Sequence, residues 1–519
     1  MKKLIILITT ASFLFWNTGC TDLESESFSQ LTEQNAYSNE ETLLNGLSGV
    51  YSTLGFLTDA MFKVVETTTD EAIVPTRGAD WNSKDLRNLH THEWVADNGE
   101  INNLYGQISS SISKCNAFLE AVENSGFSSQ AVDEIKAEAR FIRAYYYYLI
   151  CDNFGKAPII TSILKELPVQ ASREEIYNFI LDELDAIEEI IPLANDYGRI
   201  NRNAVWFLKA KTYINAEVFV GTADWSDALT YCDKIIDQGL YHLYNENNAD
   251  LGKEFLDIFA YDNDVVAKRV ETIFALSFNA ATDDWGKAFF WQQFTLHYNL
   301  QNKYGLPESP WNGYATLPET VELYDVTLGE NGIYASNDQR LKGILTGQQY
   351  EKNGVVIYER DGSTPLNFTL DFRSLENATE SNGARVLKWV PGGELVGHFM
   401  NNDFAIFRYA DVLLMKAEIL ARQNGGTVNG DALGLINAIR TRSNASVLQS
   451  ATLDDILAER GRELLWELWR RNDQIRFGTF TADSWTLKTK TGESFRNLFP
   501  IPTQQRNSNP NLGQNPGYN

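Results

Sequence analysis

Residues 452–478 read TLDDILAERGRELLWELWRRNDQIRFG, the most information-rich run in the chain. Thr452 with Asp455 three residues on has the form of a helix-starting capping box, and Gly478 stands where a left-handed helix end would fall. The spacing predicts one helix of about seven turns between them. Glu459, Glu463 and Glu467 lie four apart in one row, an arrangement that needs partners, because like charges at that spacing repel. Arg462, Arg470 and Arg471 are within reach of Glu459 and Glu467. Leu464, Leu468 and Ile475 with Trp466 and Trp469 supply an apolar face. The expectation is a core helix carrying paired charges that lock it to neighbours such as the Arg408 and Arg440 helices; the alternative is a solvated helix with ordinary surface ion pairs.

Working outward, other helices announce themselves by the same spacing. Trp225, Ala228, Leu229, Cys232, Ile235 and Ile236 follow a helical repeat without a miss, and NAVWFLKAKTYINAEVF before them is apolar nearly all round. A buried helix followed by an amphipathic one, with small Ala210 and Ala228 at the contact, is the unit of a tetratricopeptide-like hairpin. The pattern returns in RYADVLLMKAEILARQNGG and its partner marked by Ala432, Leu435, Ile436 and Ile439. Further helices are expected from Ser38 with Glu41 as a capping box, over 101–123 and 130–152, and from Ser172 with Glu175 to Pro192. The fold class is mostly α: a helix-pair scaffold over about 38–55, 101–240 and 404–519. The rest, about 56–100 and 241–403, is a loop-rich lobe with short helices and small hairpins, VETIFALSFN and NGVVIYER being its strand candidates.

The chain of 519 residues is 43% hydrophobic and 12% aromatic, enough for a large core, and its net charge of −25 repels phosphate backbones, so nucleic acid is excluded as a partner. Residues 1–19 have two lysines, a short apolar run and then small residues before Cys20, the layout of a secretory signal of the lipoprotein type. Cys20 is the expected lipidation site, 20–37 a tether, and 38–519 one folded unit. Loss of Lys2 and Lys3 with the signal moves the charge from −25 to −27. Cys115, Cys151 and Cys232 remain, each in an apolar helical context, and read as buried free thiols.

These segments together resemble the RagB/SusD family of Bacteroidetes surface lipoproteins, which pair with a TonB-dependent transporter of the SusC type. The resemblance is carried by Cys20 and its acidic sequel; AEARFIRAYYYYLICDNFGKAPII; PETVELYD followed by NDQRL; RYADVLLMKAEILAR; ALGLINAIRTRSN; ILAERGRELLWELWRRNDQIRFG; and the closing FPIPTQQRNSNPNLGQNPGY. The sequence departs at Asn17, where leucine is usual, and at Leu414-Met415, where asparagine is common. The resemblance implies tetratricopeptide-like helix pairs, anchoring in the outer membrane facing the cell exterior, a SusC-like partner, and capture of an oligosaccharide without catalysis or cofactor. An oligopeptide cargo on the same scaffold, and an α-helical glycoside hydrolase, are the alternatives.

A sugar offers a C–H face and a ring of hydroxyls, so its site needs flat exposed aromatics flanked by polar side chains. Trp81, in RGADWN with Arg77, Asp80 and Asn82, is the first candidate, and the family resemblance implies a ligand-contacting loop there. Trp285 and Trp291, with Asp284 and Gln292, form a second group, and Trp311 with Asn312 and Tyr314 a third. Trp206, Trp225, Trp466 and Trp469 read as packing residues. The pair His90 and His92 lacks a third metal ligand, and no nucleophile elbow, phosphate loop or zinc motif occurs.

Overall fold

The computed structural model describes residues 37, 39–163, 166–244 and 255–518. Eleven helices of eight residues or more are found among the described residues: α1 (Glu40–Ser52), α2 (Lys84–Thr91), α3 (Gly99–Ser125), α4 (Gln130–Asn153), α5 (Arg173–Ile187), α6 (Arg202–Ile214), α7 (Trp225–Asp237), α8 (Tyr409–Gln423), α9 (Gly430–Arg442), α10 (Leu453–Glu463) and α11 (Arg470–Phe477). The chain is mostly helical, as its spacing predicts. Cys20, the signal and the rest of the tether lie outside the described residues.

From α3 to α9 each helix packs on its neighbour, and α7 packs on both α6 and α8. The array therefore continues in space although the chain leaves it after α7 and returns only at Tyr409. Ala210 and Ala228 are fully buried between their helices, as are Cys115, Cys151 and Cys232, all free. One buried ion pair fastens the two halves: Lys211 Nζ of α6 lies 2.7 Å from Asp411 Oδ2 of α8.

Helix α1 begins one residue later than its expected cap. Asn39 accepts from the Thr42 backbone and Thr42 reciprocates toward the Asn39 N–H, the same device in a different register from Ser38 with Glu41. The ring of Tyr37 packs edge-on against Phe118 at 6.0 Å beside this end. At its far end α1 runs into a 3-10 turn, Thr53–Thr58, which meets the lobe: the Thr58 carbonyl accepts from Trp291 Nε1 at 2.6 Å. A Cβ on Gly55 would lie 2.7 Å from the Gly286 carbonyl oxygen, so only glycine lets these two backbones touch.

Three expectations need correction. The segment after α1 is not simply loop: Ala60–Val65 is a helix, and Thr67 to Arg77, apart from Asp70, is buried because the lobe covers it. Helix α5 stops at Ile187, and turns carry the chain to Pro192. The lobe's ladders are shorter than predicted. β1 (Thr272–Leu276) pairs antiparallel with β2 (Phe404–Arg408), whereas Val356 and Tyr358 of NGVVIYER make only isolated bridges.

The opening stretch is corrected most. It forms two helices, α10 and α11, separated by a break in which Trp466 and Leu468 adopt φ of 59° and 70°. A left-handed conformation at a bulky residue costs about 1–2 kcal/mol, so something must hold it. Glu66 and Glu71, some four hundred residues away, do so: the Leu468 N–H donates to Glu66 Oε1 at 2.7 Å and the Trp466 N–H to Glu71 Oε2 at 3.0 Å. Burial pushes both carboxyls up, Glu66 to about 8.

Its charges are paired and buried, as expected for a core element. Arg408, at the end of β2, donates to Glu467 Oε1 and Oε2, to Glu463 Oε1 and to Glu271 Oε2, all within 2.9 Å. Arg340 joins Glu459 to Glu463, Arg442 joins Glu463 to Glu271, and Arg440 and Arg462 both hold Glu459. The expected reach of Arg470 and Arg471 to this row is not realised. Arg470 clasps Asp70, and Arg471 lies over Phe499 with Asn153 and Asn497.

Candidate functional site

Tight turns bring Trp81, Trp285 and Trp311 to one place. Arg77 and Asp80 exchange backbone hydrogen bonds at 3.0 Å around Gly78-Ala79, and Trp81 follows with φ of 58°. Its indole N–H donates to the Trp311 carbonyl at 2.8 Å. A Cβ on Gly313 would lie 2.2 Å from the Trp81 ring, so the ring rests directly on glycine backbone. In a second turn, Asp284–Lys287, the Asp284 side chain accepts from the Gly286 N–H at 2.8 Å and Trp285 projects from the tip. A third turn, Val396–Phe399, presents His398.

Trp285 is 60% exposed and lies nearly parallel to Trp311, with centroids 6.2 Å apart and planes at 20°. His398 touches both rings, at 5.3 and 5.2 Å, and Phe399 meets Trp285 edge-on. Trp81 is half-buried, its ring at right angles to Phe294 and Tyr314 below it. The result is a shelf of three indoles, joined through Trp311, in which Trp81 comes from a loop more than two hundred residues before the other two.

A polar rim runs beside Trp81. The Tyr298 hydroxyl donates to Asp80 Oδ2 at 2.6 Å, Arg360 lies 4.0 Å over the Tyr298 ring, and Arg360 pairs with Asp80 at 2.9 Å and Glu380 at 2.5 Å. Burial alone would raise the Glu380 carboxyl, but bonds from Arg360 and His297 hold it below its usual range. Burial takes His297 down to about 4, so its ring is neutral and donates to Glu380. Asn82, exposed, accepts from Arg87 at 3.0 Å.

Four expected ligand residues turn out to be the shelf's foundations. Arg77 is buried and donates to the Gly313 and Asn382 carbonyls at 2.8 and 2.7 Å; desolvation lowers it to about 10. Asn312 is buried under Arg385, whose guanidinium it accepts at 2.8 Å. Tyr314 is fully buried, and Trp291 is a core ring 4.2 Å from Phe62. Gln292 is buried too, its amide holding the His398 carbonyl at 2.7 Å. Periodicity could not have told these apart from Trp81 or Trp285, because a loop has none. Sequence reasoning missed Tyr298, Arg360, His398 and Phe399, for which only the Gly397 turn signal before His398-Phe399 was available.

His90 and His92 are buried rather than ligating, bonded to the Thr486 and Thr68 carbonyls, and desolvation lowers His90 to about 4. Among the described residues no group of three or more histidine, cysteine or acidic side chains is placed to hold a metal ion. No helix of the described residues is long and apolar enough to cross a membrane.

Two family models match: the SusD family over residues 270–518, and "starch-binding associating with outer membrane" over 22–214. The chain is 28% identical over 517 residues to the starch-binding protein SusD of Bacteroides thetaiotaomicron, covering 91% of this chain and 86% of that one. Among solved structures, a SusD superfamily protein from Parabacteroides distasonis superposes with a TM-score of 0.71 at 20% identity, over 93% of this chain and all of the other. Surface glycan-binding protein A from Bacteroides uniformis gives 0.69 at 19%, over 92% and 99%. The structural likenesses are of fold; by the two family matches, which together take in most of the helical array and of the lobe, the chain belongs to the SusD family.

Proposed function

We propose that this protein captures an oligosaccharide on the shelf of Trp81, Trp285 and Trp311 and passes it, unaltered, to a SusC-like TonB-dependent transporter, while anchored to the outer membrane through Cys20 and facing the cell exterior. The observation that carries the reading is the convergence of three indoles on one solvent-facing surface. Trp285 and Trp311 lie nearly parallel, and Asp80, Asn82 and Arg360 form a polar rim beside Trp81, the combination of flat faces and polar groups that a sugar requires.

A binding role without catalysis is supported by how the nearby carboxylates are spent. Asp80 is engaged by Tyr298 and Arg360, and Glu380 by Arg360 and His297. Glu380, held below its usual range by those bonds, is not kept as the proton donor that glycoside hydrolysis requires of one of its two carboxyls. Affinity electrophoresis over a polysaccharide panel tests the proposal. Retardation by at least one glycan, lost in Trp81→Ala and Trp285→Ala, supports it, and absence of retardation on every glycan refutes it. Release of reducing sugar by the purified protein would replace it with the hydrolase reading, and a co-purifying peptide found by mass spectrometry with the peptide one.

A further inference from the structure

We infer that the hollow where the helical array hands over to the lobe is a second ligand site, built for a sugar unit bearing an oxyanion, a carboxylate or a sulfate ester. The inference rests on the glycan-capture reading above for the sugar and on the hollow's own chemistry for the charge. The hollow lies between the turn that precedes α6, the segment that follows α7, and β1. Its volume is about 370 Å³, within the range of about 300–1,000 Å³ usual for small-molecule sites.

Its defining group is Arg269. The guanidinium lies 4.7 Å over the Tyr197 ring and makes no ion pair with any carboxylate among the described residues. Arg199 on the neighbouring wall is taken by Glu138 and the arginines of the core ladder are all paired, while Arg77, Arg385 and Arg471 lack a carboxylate but are held by carbonyl or amide oxygens. Stacking on Tyr197 fixes the plane of the guanidinium and leaves its N–H edge available, the geometry that takes a carboxylate or sulfate through two parallel hydrogen bonds. Asp196 stands exposed at the rim without pairing to it.

The other walls suit a sugar ring. Tyr241 and His242 supply a ring face and polar edges, and Val266, 71% exposed, offers an apolar lip to a C–H face. An acidic sugar places its oxyanion directly on the open guanidinium edge, a contact that a neutral sugar cannot make. A second depression of about 280 Å³ shares Tyr197, Gly198, Arg199 and Ala275 with the hollow and ends at Lys287, two residues from Trp285.

Calorimetric titration of the full chain with glucuronate, glucose 6-sulfate, glucose and inorganic sulfate tests this. The expected result is saturable binding of at least one acidic sugar and none of glucose. Arg269→Gln should weaken that binding about tenfold or more, a factor that corresponds to about 1.4 kcal/mol, while leaving retardation on the shelf's polysaccharide unchanged. The inference is overturned if neither acidic sugar binds, if Arg269→Gln weakens binding less than tenfold, or if inorganic sulfate binds as tightly as the acidic sugar. Failure of the shelf shows separately, as polysaccharide retardation that is absent or unaffected by Trp285→Ala.

Discussion

Replacing Trp285 by alanine separates ligand binding from folding more cleanly than any other change to the shelf. The side chain is 60% exposed and rests on the surface of Trp311, so its removal opens no cavity. A tryptophan presents roughly 250 Å² in all, of which about 150 Å² is then open to solvent, and a sugar lying on one face covers about half of that. At about 25 cal/mol per Å² the lost contact is about 2 kcal/mol, or roughly a thirtyfold fall in affinity. Stability should move by less than about 1 kcal/mol. Trp291, six residues on, makes the contrast: it is 2% exposed, and Trp291→Ala should cost about 3–5 kcal/mol of folding free energy. Affinity electrophoresis on the retarding polysaccharide, beside urea unfolding of each variant, gives both readings. Affinity within twofold of the parent in Trp285→Ala, with an intact fold, would refute the assignment of the shelf.

Arg408→Met leaves Glu271, Glu463 and Glu467 short of a shared cation in a fully buried setting and should cost about 3–5 kcal/mol; at about 2 cal/mol/K per residue over 519 residues this lowers Tm by about 3–5 °C, and an unchanged Tm would count against the ladder. Burial would raise Glu459, but Arg340, Arg462 and Arg440 bring it down to about 2, so its stabilisation is complete above the ordinary value of 4.5 and disappears as pH falls toward 2; urea midpoints between pH 5 and pH 3 should decline, and a flat profile speaks against it. Glu66 has the opposite sign. Raised to about 8 by burial, it contributes fully below 4.5 and progressively less as pH rises through 8, so Glu66→Gln should flatten the fall in stability between pH 5 and pH 8, and an equal fall in parent and variant refutes this.

The helical array was legible because its residues repeat: the apolar spacing in α7 and α9 states which face is buried whatever the partner is. The charged row of Glu459, Glu463 and Glu467 was legible as buried and as paired with Arg462 and with the Arg408 and Arg440 helices, but not in its partners Arg340 and Lys388, which the lobe brings to it. The break between α10 and α11 left no mark in 464–469, which contain neither proline nor glycine; its cause is a pair of glutamates near the other end of the chain. The shelf was half legible. Composition nominated Trp81, Trp285 and Trp311, but whether a loop tryptophan faces water or core depends on which backbone lies beneath it, and that is decided by contacts such as Gly313 under Trp81.

Helix α1 gives the molecule a fixed lever. One end lies beside Tyr37, where the described chain begins to pack, and the other runs through Thr53–Thr58 into the lobe behind Trp291 and Gly286. Thirteen residues at about 1.5 Å each make it roughly 20 Å long, and its apolar stripe of Leu43, Leu47 and Val50 is buried, with α3 and α4 packed along it. Under the attachment through Cys20 and the glycan capture proposed above, altering the number of residues ahead of Tyr37 changes how far the indoles travel from the membrane, whereas the angle at which they meet an incoming polymer stays with the lever.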